Sequence, residues 1–210
     1  LNIHNIETAP EKSKEIIVQA QKSFGMIPNI HGILAGSPQL LTAYQTLHEL
    51  FSNTSFDAEE LTVVWQSINV EHSCHYCVPA HTGIAKMMKV DDTIVDALRN
   101  ETKLENPKLE ALRTLTLAIV RTRGNISQED LKDFYAAGYK EQQVLEIILG
   151  VSQKVISNYT NHIANTPLDL SLIHISDPTR QAEIPNPVSA WKKKKKKKNT
   201  NYTIRYHNSY

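Results

Sequence analysis

The stretch Glu71-His72-Ser73-Cys74-His75-Tyr76-Cys77-Val78-Pro79-Ala80-His81 decides how this chain is read. It holds both cysteines of the protein, together with a glutamate and three histidines able to transfer protons. Cys74 and Cys77 stand three apart, Glu71 lies three before the first, and His81 lies four beyond the second. On one helical path such positions share a face. Pro79 constrains the path, because proline fits the first turn of a helix and clashes deeper inside. A helix is therefore expected to start between Cys74 and Cys77.

Upstream, Asp57 is placed to cap a helix whose first turn carries Glu59 and Glu60. Leu61, Val64, Trp65 and Ile68 follow at i, i+3, i+4 and i+7, an apolar stripe leading into the motif. Before it, Pro10 opens a helix closed by Gly25, a short helical stretch covers 31–34, and Ser37-Pro38 starts a third helix bearing Leu41, Tyr44 and Phe51. Beyond the motif, Asp91, Asn106-Pro107 and Ser127-x-x-Asp130 each open a helix, with Gly124 and Gly138 as stops. The last helix runs from about Lys140 through Val144, Leu145, Ile147, Ile148, Val151 and Val155 to His162 or Ile163, ended by Thr166-Pro167. No stretch alternates with period two, so the class is all-α, a single-domain helical bundle.

With 210 residues, 40% apolar and 21% charged, the chain suits one soluble domain. It lacks an eighteen-residue apolar run and a basic-then-apolar leader, so no membrane partner is expected and a cytoplasmic setting is the default. The start at Leu1 reads as a fragment or a processed end. In a reducing compartment, C-x-x-C points to redox chemistry or metal binding and away from a structural staple. The net charge of +1 hides an uneven split. Nine basic and two acidic residues fall in 171–210, giving +7 there and −6 in the rest. The body is acidic, so a nucleic-acid surface is not expected of it.

A helical domain over 1–168 and a disordered tail over 169–210 follow from the change in character after Leu170. Ser171 to Arg180 resembles a read-through translation of a sequencing-library adapter, and Lys192 to Lys198 match AAA codons read from a poly(A) stretch. The rival reading of that lysine run is a natural basic tail.

A thiol reacts as thiolate, and a helix N-terminus among these residues favours that form. His81 lies one turn beyond Cys77 and two beyond Cys74. Cys77 is therefore the expected nucleophile with His81 as its base, and Cys74 is in range to resolve an oxidised Cys77 as a disulfide. Glu71 is the nearest carboxylate to orient a histidine; His75, Tyr76 and Glu60 are supporting candidates.

Cys74-His75-Tyr76-Cys77-Val78-Pro79-Ala80-His81 resembles the C-x-x-C-x-x-x-H motif of the alkylhydroperoxidase D-like branch of the carboxymuconolactone decarboxylase family. The approach from Trp65 and the closing run Asn161 to Leu168 share the likeness. The resemblance implies an all-α homo-oligomer, trimer or hexamer, without cofactor or metal. It implies that Cys77 attacks a hydroperoxide, Cys74 resolves, and a lipoyl protein or thioredoxin-like dithiol restores the pair. The family's relay pairs the motif histidine, here His81, with a glutamate twelve residues before the first cysteine. That position is Thr62, which leaves Glu60 and Glu71 as substitutes.

Three alternatives use the same residues. A protein disulfide oxidoreductase needs a docking groove. A zinc module would draw on Cys74, Cys77, His81 and either His75 or Glu71, although structural zinc sites usually add a second, distant ligand pair. A carboxymuconolactone-type decarboxylase would not need the cysteine pair.

Overall fold

A computed structural model describes residues 1–176, and these are helical throughout, with no strand among them. The helices are α1 (Glu11–Phe24), α2 (Asn29–Leu34), α3 (Pro38–Ser52), α4 (Ala58–Glu71), α5 (Cys77–Met87), α6 (Asp92–Arg99), α7 (Pro107–Thr122), α8 (Gln128–Ala136), α9 (Glu141–Ala164) and a short α10 (Ile173–Ser176). Their ends follow from local chemistry. Asp57 accepts the Glu60 N–H while the Glu60 carboxylate accepts the Asp57 N–H, and Ser127 and Asp130 repeat this capping box. Gly25 closes α1 in the left-handed region.

Helix α4 packs against α5, α6, α7 and α9. Every residue from Glu60 to Asn69 is buried, so the expected stripe of Leu61, Val64, Trp65 and Ile68 is one part of a helix enclosed on all sides. The stripe joins Phe51, Leu98, Leu112, Leu115, Phe134 and Ile147 in the main core. A second cluster gathers Ile17, Leu34 and Leu41 around Cys74, Tyr76 and Cys77. Asn161 of α9 reaches the Cys77 sulfur, and Asn69 of α4 the Cys77 carbonyl oxygen. At Gly150 of α9, an added Cβ would stand 2.7 Å from the Phe51 ring, so only glycine lets the two helices approach this closely.

The first compact unit runs Leu1–Ser176, which moves the expected boundary at Leu168 eight residues outward. Asp169 causes this: it is buried, accepts the Tyr76 hydroxyl, and receives the Asn29 N–H at the start of α2. Residues 170–172 make a 3₁₀ turn, and α10 lies against α5. The lysine run and the rest of the expected tail, 177–210, lie outside the described residues.

Candidate active site

The motif folds as a helix end, a turn and a helix start. After α4, Ser73 adopts a left-handed φ of 50°, its N–H bonds Val70 O, and the Cys74 N–H bonds Asn69 O at 2.9 Å. This Schellman closure turns the chain and fixes Cys74. Helix α5 then begins at Cys77, as the proline required, with Pro79 third in the helix where no N–H is missed.

Both cysteines are free and buried. The Cys77 N–H donates to Cys74 Sγ at 3.2 Å, and Asn161 Nδ2 donates to Cys77 Sγ at 3.2 Å. Burial alone would raise the Cys77 pKa, but the Cys74 thiol, the Lys154 charge, Asn161 and Asn158 outweigh it and hold Cys77 well below its ordinary value. Cys74 moves up, first because its thiol is committed to the Cys77 sulfur and then through burial. Two adjacent thiolates repel, so one negative charge is shared and rests on Cys77.

His81 is buried, and its Nε2 lies 2.8 Å from Lys154 Nζ. Its pKa is held well below 6.5, by burial first and then by the charge of Lys154. The ring is therefore a neutral relay and not a stored imidazolium. An ammonium only donates, which makes Nε2 the acceptor and puts the ring proton on Nδ1, an atom with no protein partner.

The other expected residues lie elsewhere. Glu71 accepts from Arg121 Nε at 2.9 Å and Nη2 at 2.7 Å, so its carboxylate serves α7 and not His81. Glu60, at the other end of α4, pairs with Lys108 at 2.9 Å. Thr62 donates to Ala58 O within its own helix. His75 Nε2 is engaged by Thr166 O at 2.8 Å, and Tyr76 by Asp169; both tie the motif to the segment after α9. With Glu71 and His75 occupied, the proposed zinc quartet does not assemble, and among the described residues no group of three or more His, Cys, Asp or Glu is placed to hold a metal.

Helix α9 supplies what the motif alone could not reveal. Gly150, Gln153, Lys154, Ser157, Asn158 and Asn161 are buried at helical spacing, while the apolar Leu145 and Ile148 are 66% and 48% exposed. Asn158 Nδ2 donates to Asn69 Oδ1 at 3.0 Å, and Asn158 Oδ1 accepts from His72 Nδ1 at 2.9 Å. Gln153 accepts the Trp65 indole N–H at 2.9 Å. The sequence signal was present as polar residues recurring every three or four positions on one face of a long helix.

Cys77, His81 and Lys154 open on a cavity of about 800 Å³ with mainly apolar walls, including Ile30, Ile84, Met88 and Leu172. One side is a row of rings, Phe24, His31, Tyr44, His48, Trp65 and His81, with successive centroids 4.9 to 6.4 Å apart. Burial holds His31 and His48 down to about 4, so both are neutral at ordinary pH.

The arrangement of helices is an alkylhydroperoxidase-like fold. The chain superimposes on an alkylhydroperoxidase AhpD core, a peroxidase-related protein from Ralstonia eutropha JMP134, with TM-score 0.73 and 15% identity over 84% of this chain and 95% of that one. A peroxidase-related protein from Silicibacter sp. TM1040 gives TM-score 0.65 at 14% identity, over 80% and 90% of the two chains. The debrominase Bmp8, in complex with 2,3,4-tribromopyrrole, gives 0.67 at 16% identity, over 80% and 91%. No family model matches the chain, and no curated protein matches it in sequence.

Proposed function

We propose that the protein is a dithiol-dependent peroxidase acting on organic hydroperoxides. The observation that carries the reading is the Cys77 sulfur, first in α5, held by Asn161 and Cys74 beside a mainly apolar cavity. Helix dipole and donors favour its thiolate. Cys77 S⁻ attacks the terminal oxygen of ROOH, the S–O bond forms as O–O breaks, and RO⁻ leaves as ROH after taking one proton. Cys74 then displaces the sulfenic oxygen as water, closing the disulfide. An external dithiol reduces the pair and becomes oxidised itself. Burial of both thiols suits a slender reductant such as a lipoyl arm better than a broad protein face. The exposed apolar side chains Leu145, Ile148 and Ile163 on α9 suit a homo-oligomer. A free dithiol also fits a reducing compartment such as the cytoplasm.

The test is consumption of cumene hydroperoxide with a dithiol reductant. Wild-type protein turns over; Cys77→Ser loses activity at least about 100-fold, as expected for a missing nucleophile. A fully active Cys77→Ser protein refutes the assignment.

The ring-lined cavity favours one second reading, reductive dehalogenation of an aromatic ring. Cys77 would take the halogen from a protonated carbon, releasing the reduced ring, and Cys74 would expel halide as the disulfide forms. Halide release from a bromopyrrole, with hydroperoxide untouched, selects it.

A further inference from the structure

Lys154 is the ionisable side chain that the sequence motif does not contain and the site cannot ignore. It is 1% exposed, and its ammonium meets His81 Nε2 at 2.8 Å. Burial pushes the Lys154 pKa down while the charge of the Cys77 and Cys74 sulfurs pushes it up, so the buried ammonium depends on a compensating charge. Among the described residues, no carboxylate lies within ion-pair distance of it; Glu60 and Glu71 are taken by Lys108 and Arg121. The groups whose charge Lys154 feels or alters are Cys77, Cys74 and His81 from the motif and His48 from α3. Of these, only the Cys77 thiolate supplies a negative charge.

We infer that Lys154 is the proton reservoir of the site, delivering through His81 the proton that the leaving alkoxide needs, in place of a relay carboxylate. This rests on the peroxidase reading above. The resting state is Cys77 S⁻, Cys74 SH, Lys154 NH₃⁺ and His81 protonated at Nδ1. When the peroxide O–O bond breaks, Nδ1–H gives its proton to RO⁻ while Nε2 takes one from Lys154. The products are ROH, Cys77 SOH and a neutral lysine, with His81 now protonated at Nε2. Cys74 SH next expels water from Cys77 SOH. Reduction of the disulfide by a dithiol regenerates Cys77 S⁻ and Cys74 SH and releases one proton, which recharges Lys154 and resets the ring. Charge and atoms balance over the cycle, and His81 never has to carry both protons.

Lys154 thus has two separable effects. As a cation it stabilises the Cys77 thiolate; as an acid it supplies a proton. As a positioning residue acting through His81, it is tested by substitutions that split these effects. Lys154→Met removes both. Its fold is expected to survive, because the Cys77 thiol, left without its counter-charge, takes up a proton and no buried charge stays unpaired. Lys154→Arg keeps the cation, but a guanidinium does not release its proton.

Two readouts are compared from pH 5 to 10: iodoacetamide alkylation of Cys77, followed by peptide mass spectrometry, and dithiol-dependent hydroperoxide turnover. In Lys154→Met, the acid limb of the alkylation profile is expected to move up by about one pH unit or more. In Lys154→Arg, alkylation is expected to stay within about three-fold of wild type while turnover falls at least about ten-fold, since the cation remains and the acid is gone. Wild-type turnover should also decline on the alkaline side, where Lys154 deprotonates, and Lys154→Arg should lack that decline.

An unchanged alkylation profile in Lys154→Met overturns the counter-ion role. Full turnover in Lys154→Arg overturns the reservoir. A Lys154-dependent alkylation profile in a wild-type protein that consumes no hydroperoxide overturns the peroxidase reading and, with it, the proton delivery. Should Lys154→Met not fold, Lys154→Arg and the wild-type alkaline limb still decide the matter.

Discussion

Against α4, helix α7 buries Leu109, Leu112, Leu115 and Ile119, whereas α9 buries Gln153, Lys154, Ser157, Asn158 and Asn161 along much of its length. The two helices serve the same neighbour by different physics. A buried leucine contributes roughly 1.5–3 kcal/mol by leaving water. A buried hydrogen bond adds about 1 kcal/mol net and costs more than that if its partner is lost. By area alone α9 is the poorer packing element. Its donors converge instead on Asn69, His81 and the Cys77 sulfur, so α7 holds α4 in place while α9 sets the charge at the start of α5.

The widest separation between the two helices is expected at Leu112, which is fully buried in the main core. Leu112→Ala should cost about 2–5 kcal/mol, lowering the urea midpoint, by loss of transfer energy and the cavity left behind. It should leave the pH profile of Cys77 alkylation where it is. A shifted thiol profile in this variant would break the comparison, since core and site would then share one mechanical unit.

Asn161→Ala is the converse. It deletes the 3.2 Å donor to Cys77 Sγ. A hydrogen bond to a charged group is worth about 1.5–3 kcal/mol, which at 1.36 kcal/mol per unit raises the thiol by about one to two units. Wild-type Cys77, held low, should remain readily alkylated at neutral pH, where an ordinary thiol of pKa about 8.5 is only a few per cent ionised. In Asn161→Ala the acid limb of that reactivity should move up by about one to two pH units, with no more than about a two-fold drop at neutral pH. At neutral pH the variant should lose up to the roughly 1.5–3 kcal/mol of that hydrogen bond, offset in part because the unpartnered Asn161 Oδ1 disappears with the side chain. Large unfolding with an unmoved thiol would place α9 alongside α7 as a packing element.

Much of the fold was legible because helix ends are local. Asp57 with Glu60, Ser127 with Asp130, Pro107 and Gly25 each act over a few residues, and the helices begin and end at them. The Cys74, Cys77, His81 spacing was legible for the same reason. The faces of the long helices were not. Helix α9 carries apolar residues on more than one side, and the outward ones, Leu145 and Ile148, looked as suited to a core as Ile147. What turns Gln153 and Lys154 inward is contact with Trp65 and His81, which lie 88 and 73 residues away in sequence. Proximity in sequence misled at Glu71 as well. Three residues from Cys74, it was the natural candidate to orient the histidine, but the end of α4 directs its carboxylate to Arg121 of α7.

Glu71→Gln gives the smallest expected effect and the sharpest check on that assignment. The Arg121 guanidinium, foremost through its hydrogen bonds, holds the Glu71 pKa below 4.5 despite some burial. A depressed carboxylate contributes stability above its unfolded pKa and loses it as pH falls through the folded value. The pair is partly exposed, with Arg121 55% open to solvent, so screening keeps its worth to about 0–1 kcal/mol. The variant should therefore melt slightly lower than wild type at neutral pH, and the gap should close in acid below the folded pKa. Peroxide turnover and its pH profile should be untouched, because His81 takes its proton from the Lys154 side. If turnover falls instead, the surface pair of α4 and α7 reaches into the chemistry, and the division of labour between α7 and α9 fails at the end of α4, where the motif begins.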